Sequence, residues 1–144
     1  MVEHLDGGRW DRTAMWAGGS VALVFAVPLS VAARLVAGDG EVSDGRTTVA
    51  VLLAFGAALG FLLGSAIAAW HQDRGTPLSH GIATAAIAYA VPQAVLVIIK
   101  IVRGGEVRWG GVLFNLTVAV FMGVMGGFIG SAMRRRGVLP RGRR

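Results

Sequence analysis

The chain has 144 residues, of which 54% are hydrophobic, and its formal net charge is +6. The absence of cysteine from the sequence excludes disulfides, thiolate nucleophiles and thiolate metal sites. Its 22 glycines far exceed the share found in soluble domains, but glycine is well tolerated in helices that pack against one another inside membranes. The composition therefore indicates a single membrane domain.

The chain begins with a polar tail, residues 1–13, and continues with an apolar run, residues 14–36. A signal peptide has a net positive start and an apolar core of roughly 7 to 15 residues, whereas this run has 23 residues and follows a tail of mixed charge. We therefore expect the run to remain as the first span. Pro28 lies near its middle, and Arg34 lies at its far end, where a long side chain can reach the interface.

Three more apolar runs are predicted to span the membrane: residues 48–70, 78–102 and 112–133. The longest has 25 residues, which at about 1.5 Å per residue exceeds the roughly 30 Å of a bilayer's hydrocarbon. Short polar segments separate the runs, and a basic tail, residues 134–144, follows the last one. The predicted fold is all-α, an integral membrane four-helix bundle over residues 14–133.

The two halves of the chain match each other in three places and in the same order. The matched segments are 25–28 with 89–92 at a shift of 64, 40–42 with 105–107 at a shift of 65, and 64–66 with 130–132 at a shift of 66. Abundant glycine, alanine and valine account for part of this similarity. A tandem repeat of two helical hairpins accounts for the common order, with both copies crossing the membrane in the same sense.

Glycines recur on the faces of the second and fourth spans. The candidate helix-packing residues are Gly56, Gly60, Gly64, Gly123, Gly127 and Gly130. Glycines spaced by three or four share a helix face and let another backbone approach closely. We favour packing within the bundle, with the second and fourth spans facing each other. The alternative is that one of these faces meets a second copy of the chain or another membrane protein.

Polar side chains inside the predicted spans are few, and none is an Asp or a Glu. A charge in mid-membrane marks proton relays and ion pathways, so its absence argues against a proton-coupled pump. The candidate polar site consists of Gln93, Asn115 and Tyr89. Gln93 directly follows Pro92, and it either bonds to a neighbouring helix or meets a substrate at a proline-loosened site. We favour the interhelical role for Gln93 and Asn115.

The turn between the second and third spans brings together His71, Asp73 and His80. Imidazole and carboxylate are metal-ligand types, but their spacing matches no established zinc motif. We expect this turn to be hydrated and to hold neither a metal nor a cofactor. No pair of ionisable groups is placed as acid and base or as nucleophile and base, so we do not expect an enzyme.

The distribution of lysine and arginine predicts the orientation. The two tails and the 71–77 turn carry nine of these residues, and the segments on the other side carry five, so we expect both termini in the cytoplasm. The arginines of the second tail, which can attract anionic lipid, are Arg134, Arg135, Arg136, Arg141, Arg143 and Arg144. A tail without interleaved aromatic residues has no folded surface for nucleic acid. Thirteen arginines against one lysine are typical of a GC-rich bacterial genome and indicate a bacterial plasma membrane.

The segment Thr76-Pro77-Leu78-Ser79-His80-Gly81 is followed by Ala90-Val91-Pro92-Gln93, and a glycine-rich span precedes both. These residues resemble small four-helix membrane proteins that are widespread in actinobacteria. The resemblance covers roughly the last two-thirds of the chain. It implies the four-helix fold and the membrane location, and it supplies no activity, substrate or catalytic residue.

The leading hypothesis is a noncatalytic accessory or assembly subunit that acts through helix–helix contacts in the bilayer. Its partner would be another membrane protein or a second copy of the chain. The competing hypothesis is a small oligomeric transporter or channel for an unidentified solute, with Gln93, Asn115 and Tyr89 along the path. Transport predicts that Gln93 faces a cavity, whereas an accessory role predicts that it bonds within the bundle or at a partner interface.

Overall fold

Four α-helices make up most of the computed structural model, which describes residues 10–37, 44–73 and 75–138. The helices are α1 (Arg12–Ala37), α2 (Asp44–His71), α3 (Pro77–Val102) and α4 (Trp109–Arg135). Each helix is long and apolar enough to cross a membrane, and no strand occurs among the described residues. The chain is therefore an all-α, multi-pass membrane protein with a four-helix fold.

The helices extend beyond the predicted spans, and the largest difference is at the start of α2. The sequence predicts a loop over residues 37–47, but Asp44 begins the helix. A carboxylate in the first turn is favourable beside the positive end of the helix dipole, and the Thr48 hydroxyl donates a hydrogen bond to the Asp44 carbonyl oxygen at 2.9 Å. The remainder of that loop, residues 38–43, and the outer parts of both tails, 1–9 and 139–144, lie outside the described residues.

Proline and glycine determine the ends of α3. Pro77 is its first residue, where a missing N–H costs no hydrogen bond. Gly104, two residues beyond its end, has a φ of 71°, a left-handed conformation that favours glycine. The chain can therefore leave α3 and turn directly towards α4.

α2 lies at the centre of the bundle, where it packs against α1, α3 and α4. α3 also contacts α1 and α4, whereas α1 and α4 do not contact each other in the described part of the chain. We call the end that carries Trp10 and Val138 the terminus end, and the end that carries the turn at 103–108 the loop end. An even number of spans places both described ends of the chain on one side.

The first hairpin is held together by a backbone contact between glycines. Gly18 and Ala22 of α1 face Gly64 and Ala68 of α2. A Cβ atom added at Gly64 would lie 2.7 Å from the Ala22 Cβ, and one added at Gly18 would lie 2.7 Å from the Ala68 Cβ. Since nonbonded carbon atoms prefer about 3.5–4.0 Å, a side chain at either glycine would force the helices apart.

The second hairpin repeats this contact with Gly81 and Ala85 of α3 against Gly123 and Gly127 of α4. A Cβ atom added at Gly123 would lie 2.9 Å from the Ala85 Cβ, and one added at Gly81 would lie 2.9 Å from the Gly127 Cα. Gly81 in α3 takes the place of Gly18 in α1, which is a shift of 81 − 18 = 63 positions. Gly123 in α4 takes the place of Gly64 in α2, which is a shift of 123 − 64 = 59 positions. The sequence matches have shifts of 64 to 66, so the duplication stays a prediction.

The remaining glycines show which helices the small-residue faces meet. Gly56 and Gly60 of α2 lie against α1, where added Cβ atoms would be 3.0 Å from Leu29 Cδ1 and 2.8 Å from Phe25 Cβ. Gly130 of α4 lies against α2, where an added Cβ atom would be 2.7 Å from the Ala69 Cβ. The α2 glycines therefore meet α1 and not α4, in contrast to the face-to-face arrangement expected from the sequence.

Small residues fill the core, and large ones lie on the outside. The buried apolar residues are Ala14, Ala22, Ala26, Ala57, Phe61, Ala66, Ala68, Ala69, Ala85, Ala88 and Ala119. Leu, Val, Ile and Phe side chains are exposed along all four helices. Lipid tails are as apolar as these side chains, so helix association depends on close van der Waals packing, which small residues allow.

Candidate functional site

A cavity of about 230 Å³ lies in the loop-end half of the bundle, and all four helices line it. We call it the four-helix pocket. Its polar lining residues are Ser30, Arg34, Tyr89, Gln93 and Asn115. The three residues of the predicted polar site thus line one pocket, although they come from two different helices. Ser30 and Arg34 of α1 join them, although neither is a candidate site residue from the sequence alone.

Arg34 and Gln93 connect α1 to α3 at the pocket. The Arg34 Nη2 donates a hydrogen bond to the Gln93 Oε1 at 3.3 Å, which is long for a charge-assisted bond. A guanidinium has five N–H donors, so this bond leaves most of its capacity for other acceptors. Gln93 therefore lines a cavity, as the transport hypothesis predicts. It also bonds within the bundle, as the accessory hypothesis predicts.

Tyr89 is held in place from two sides. Its hydroxyl donates a hydrogen bond to the Val112 carbonyl oxygen in the first turn of α4 at 2.8 Å. Its ring packs edge-on against the Phe61 ring of α2, with centroids 6.3 Å apart and an interplanar angle of 66°. Tyr89 thus has a fixed orientation, with its proton already donated to the protein.

Asn115 lines the pocket from α4, and its side chain is exposed. No hydrogen bond to its amide group occurs among the described residues. The amide can therefore donate to or accept from a molecule in the pocket without breaking a bond inside the protein. The interhelical role expected for Asn115 is not observed in the described part of the chain.

The sequence explains why a cavity forms at this depth. Pro28 in α1 and Pro92 in α3 lack the N–H that would bond to the carbonyl four residues earlier, and a proline ring also displaces that carbonyl. The α1 lining begins at Ala26 and the α3 lining begins at Ala88, close to these prolines. The small residues that line the pocket are Ala26, Ala33, Ala54, Ala57, Ala58, Ala88 and Ala119. Alanine side chains are too short to fill the space between helices loosened in this way.

The pocket has a positive electrostatic character. Arg34 is the charged group among its described lining residues, and none of those residues is acidic. Guanidinium binds carboxylate or phosphate oxygens through paired hydrogen bonds, and the interaction is stronger where little water is present. The amides of Gln93 and Asn115 and the Ser30 hydroxyl add further donors. This set of groups suits an anionic or strongly hydrogen-bond-accepting group.

The terminus end contains a second polar cluster, centred on His80. The sequence predicts a hydrated turn here, but His80 is fully buried. Its Nε2 accepts a hydrogen bond from the Asp11 backbone N–H at 2.8 Å, and its Nδ1 lies 2.8 Å from the Thr76 carbonyl oxygen. Because Nε2 accepts, the proton lies on Nδ1 and is donated to Thr76. The Trp10 ring lies beside the imidazole, with centroids 5.3 Å apart.

Other hydrogen bonds join the terminus ends of α2 and α4. Arg134 donates to the carbonyl oxygen of Gln72, a residue that is fully buried. The Trp70 indole N–H donates to the Val138 carbonyl oxygen at 2.6 Å. These bonds and the His80 cluster connect segments from the two ends of the chain, so the terminus end is closed by side-chain bonds.

No group of three or more His, Cys, Asp or Glu residues that could hold a metal ion occurs among the described residues. Both ring nitrogens of His80 are already used in the bonds described above. The Nδ1 of His71 lies 3.1 Å from the Ile67 carbonyl oxygen within its own helix. His80 therefore joins the start of α3 to the start of α1, whereas this contact of His71 stays within α2.

Comparison with known proteins gives no relative for this chain, because no family model, curated protein or solved structure matches it.

Proposed function

We propose that the protein is a noncatalytic protein of the bacterial plasma membrane that binds a small solute with an anionic group in the four-helix pocket, as a small transporter does. Both termini lie in the cytoplasm in this proposal. The observation that carries it is the convergence of Arg34, Gln93 and Asn115 on one cavity that all four helices line.

The orientation is supported by the nine basic residues in the tails and the 71–77 turn, against five at the other end of the spans. With the terminus end in the cytoplasm, the pocket lies in the outer half of the membrane. The inner half is closed by the glycine contacts and by the hydrogen bonds around His80. The described arrangement therefore suits a state that binds solute from outside, and passage across the membrane requires the terminus end to open.

Arg34 is the residue that selects the ligand. Hydrogen bonds to charged groups contribute about 1.5–3 kcal/mol, so we expect Arg34→Met to weaken the binding of an anion roughly tenfold to hundredfold. Lys100 supplies the matched control. It is a cation near the loop end of α3, but it is not among the residues that line the pocket.

The first test measures the thermal unfolding of the purified full chain in detergent, with lactate, pyruvate or phosphate added and sodium chloride at matched ionic strength as the reference. Lactamide is the neutral counterpart of lactate. We expect at least one anion to raise the unfolding temperature more than chloride and lactamide do. Arg34→Met and Gln93→Leu should remove this rise, and Lys100→Met should retain it.

Two results would contradict solute binding at this pocket. One is that lactamide stabilises the protein as much as lactate, and the other is that Lys100→Met removes the effect as fully as Arg34→Met. If binding is found, the flux of the same anion into liposomes that contain the protein distinguishes a transporter from a protein that binds without transport.

An accessory or assembly subunit is the second candidate, and a feature of α4 favours it. Phe114, Phe121 and Phe128 are 69%, 58% and 62% exposed and are spaced by seven residues, so they form one stripe along the helix. Such a stripe can pack against a helix of another membrane protein or of a second copy. The glycine faces suggested by the sequence are less suitable, because they already pack within the bundle.

Purification from the native membrane in mild detergent tests this candidate through the mass and identity of what accompanies the chain. A defined heteromeric partner would indicate a subunit, and a discrete homo-oligomer would favour the transporter. Phe121→Ala should reduce recovery of the partner, whereas Phe55→Ala, at a phenylalanine of α2 that is 66% exposed, should not. Equal recovery from both variants would exclude the phenylalanine stripe as the docking surface.

A further inference from the structure

A groove of about 490 Å³ runs between α1 and α3 in the terminus-end half of the bundle, and it shares only Ala88 with the described lining of the four-helix pocket. Its walls are mostly apolar, and Gly19 forms part of the α1 wall. A Cβ atom added at Gly19 would have no described neighbour within 4 Å, so the groove is open at this position. Arg12, the first residue of α1, lies at its end.

We infer that this groove binds one anionic phospholipid of the leaflet at the terminus end, with the phosphate on Arg12 and an acyl chain along Gly19. Arg12 begins a membrane-spanning helix, so its guanidinium lies at the depth of the lipid headgroups. Trp16, one turn further along α1, also lines the groove and is 75% exposed, and tryptophan is typical of that interface. Along the groove, Arg12 comes first, Trp16 second and the apolar walls last. This order matches the phosphate, the interfacial region and the acyl chain of a phospholipid.

Thr84 gives an independent indication of a ligand. It lines the groove, is 2% exposed, and its hydroxyl has no hydrogen-bond partner among the described residues. Burying a hydroxyl without a partner is unfavourable by about 1–3 kcal/mol. The ester carbonyls of a phospholipid are acceptors that lie just below its phosphate, and they can accept this proton.

The charge around Arg12 supports an anionic headgroup. Arg12 is the charged residue among the described residues that line the groove, and none of them is acidic. The neighbouring acid, Asp11, is not part of this lining, and its Oδ1 accepts a hydrogen bond from the Ala14 backbone N–H at 3.1 Å. A helix of another protein would fill the apolar part of the groove but would leave Arg12 without an anion. A zwitterionic lipid should bind Arg12 less strongly, because a cationic group in its own headgroup already balances the charge of its phosphate.

The test uses the purified full chain in detergent and native mass spectrometry, with phosphatidylglycerol or phosphatidylcholine added. We expect one phosphatidylglycerol to be retained preferentially. Arg12→Gln should lower its retention about fivefold, the usual effect of one basic residue on an anionic lipid. Arg108→Gln, at an exposed arginine of the loop end and away from the groove, is the control and should have little effect.

Gly19→Leu is the second variant, because the new side chain would occupy the groove without meeting a described part of the protein. We expect it to abolish retention of the lipid while the helical content in circular dichroism stays unchanged. Equal retention of the two lipids, equal losses in Arg12→Gln and Arg108→Gln, or full retention in Gly19→Leu would each overturn the inference. A dimer of the chain that Gly19→Leu disrupts would also overturn it and would assign the groove to a second copy.

Discussion

Gly18 and Gly19 are neighbours on α1, but alanine should have opposite effects at the two positions. A Cβ atom added at Gly18 would lie 2.7 Å from the Ala68 Cβ and 2.8 Å from its backbone nitrogen. To restore an ordinary carbon–carbon distance, α1 and α2 must move apart by roughly 1 Å. Overpacking of this kind destabilises a protein by about 1–3 kcal/mol. At Gly19 the added atom would meet nothing described within 4 Å.

Alanine is also a better helix former than glycine by about 1 kcal/mol, and this gain is common to both variants. We therefore expect Gly19→Ala to stabilise the protein slightly, and Gly18→Ala to be less stable than Gly19→Ala by about 1–3 kcal/mol. The measurement is the free energy of unfolding in mixed micelles with increasing dodecyl sulfate, followed by far-UV circular dichroism. Equal changes in both variants would refute the backbone contact between α1 and α2.

Two further substitutions test polar contacts. His80→Leu should leave the Asp11 backbone N–H without its acceptor, at a cost of about 1–3 kcal/mol, and hydrogen exchange should become faster at the start of α1 but not in the middle of α4. Unchanged exchange there would exclude the bond. Tyr89→Phe removes the hydrogen bond to the Val112 carbonyl oxygen and should reduce the free energy of unfolding by about 1 kcal/mol in the same micelle titration, and an unchanged value would count against this link between α3 and α4.

The fold class follows from the sequence because each apolar run is long enough to cross a bilayer. The pairing of the helices does not follow so directly, since glycine spacing identifies a face of a helix but not the helix that it meets. Adjacent positions in a helix differ by about 100°, so Gly126 and Gly127 belong to different faces of α4. Gly127 lies against α3 and Gly126 lies against α2. Two glycine faces on one helix thus imply two neighbours.

The candidate pocket was only partly predictable for a related reason. Gln93, Asn115 and Tyr89 are recognisable as polar residues within apolar runs. Arg34 is not, since a cation near the end of a span is equally well explained by contact with the interface. Its bond to Gln93 joins residues 59 positions apart, and a sequence without a known register gives no indication of such a pair.

His80 shows the same limit at the terminus end. A histidine in the first turn of a predicted span is expected to be hydrated, because a turn between two helices normally lies at the membrane surface. The Nε2 atom of its ring instead accepts a hydrogen bond from the backbone N–H of Asp11, 69 residues earlier in the chain. The burial of His80 therefore depends on where the beginning of α1 packs, and local sequence patterns do not determine this.

The positions of glycine and proline divide the bundle into two halves with different physical properties. In the terminus-end half, Gly18 and Gly81 bring the helices of each hairpin into backbone contact, so those helices cannot slide or separate without losing many close contacts. In the loop-end half, Pro28 and Pro92 each remove a hydrogen bond from helices that line a pocket with seven alanines. A solute that binds to Arg34 contacts the part of α1 beyond Pro28. Binding of the proposed solute would therefore tilt the loop-end parts of α1 and α3 while the contacts at Gly18 and Gly81 stay intact. The pocket lies in the half of the bundle that can adapt to a ligand at the lower cost.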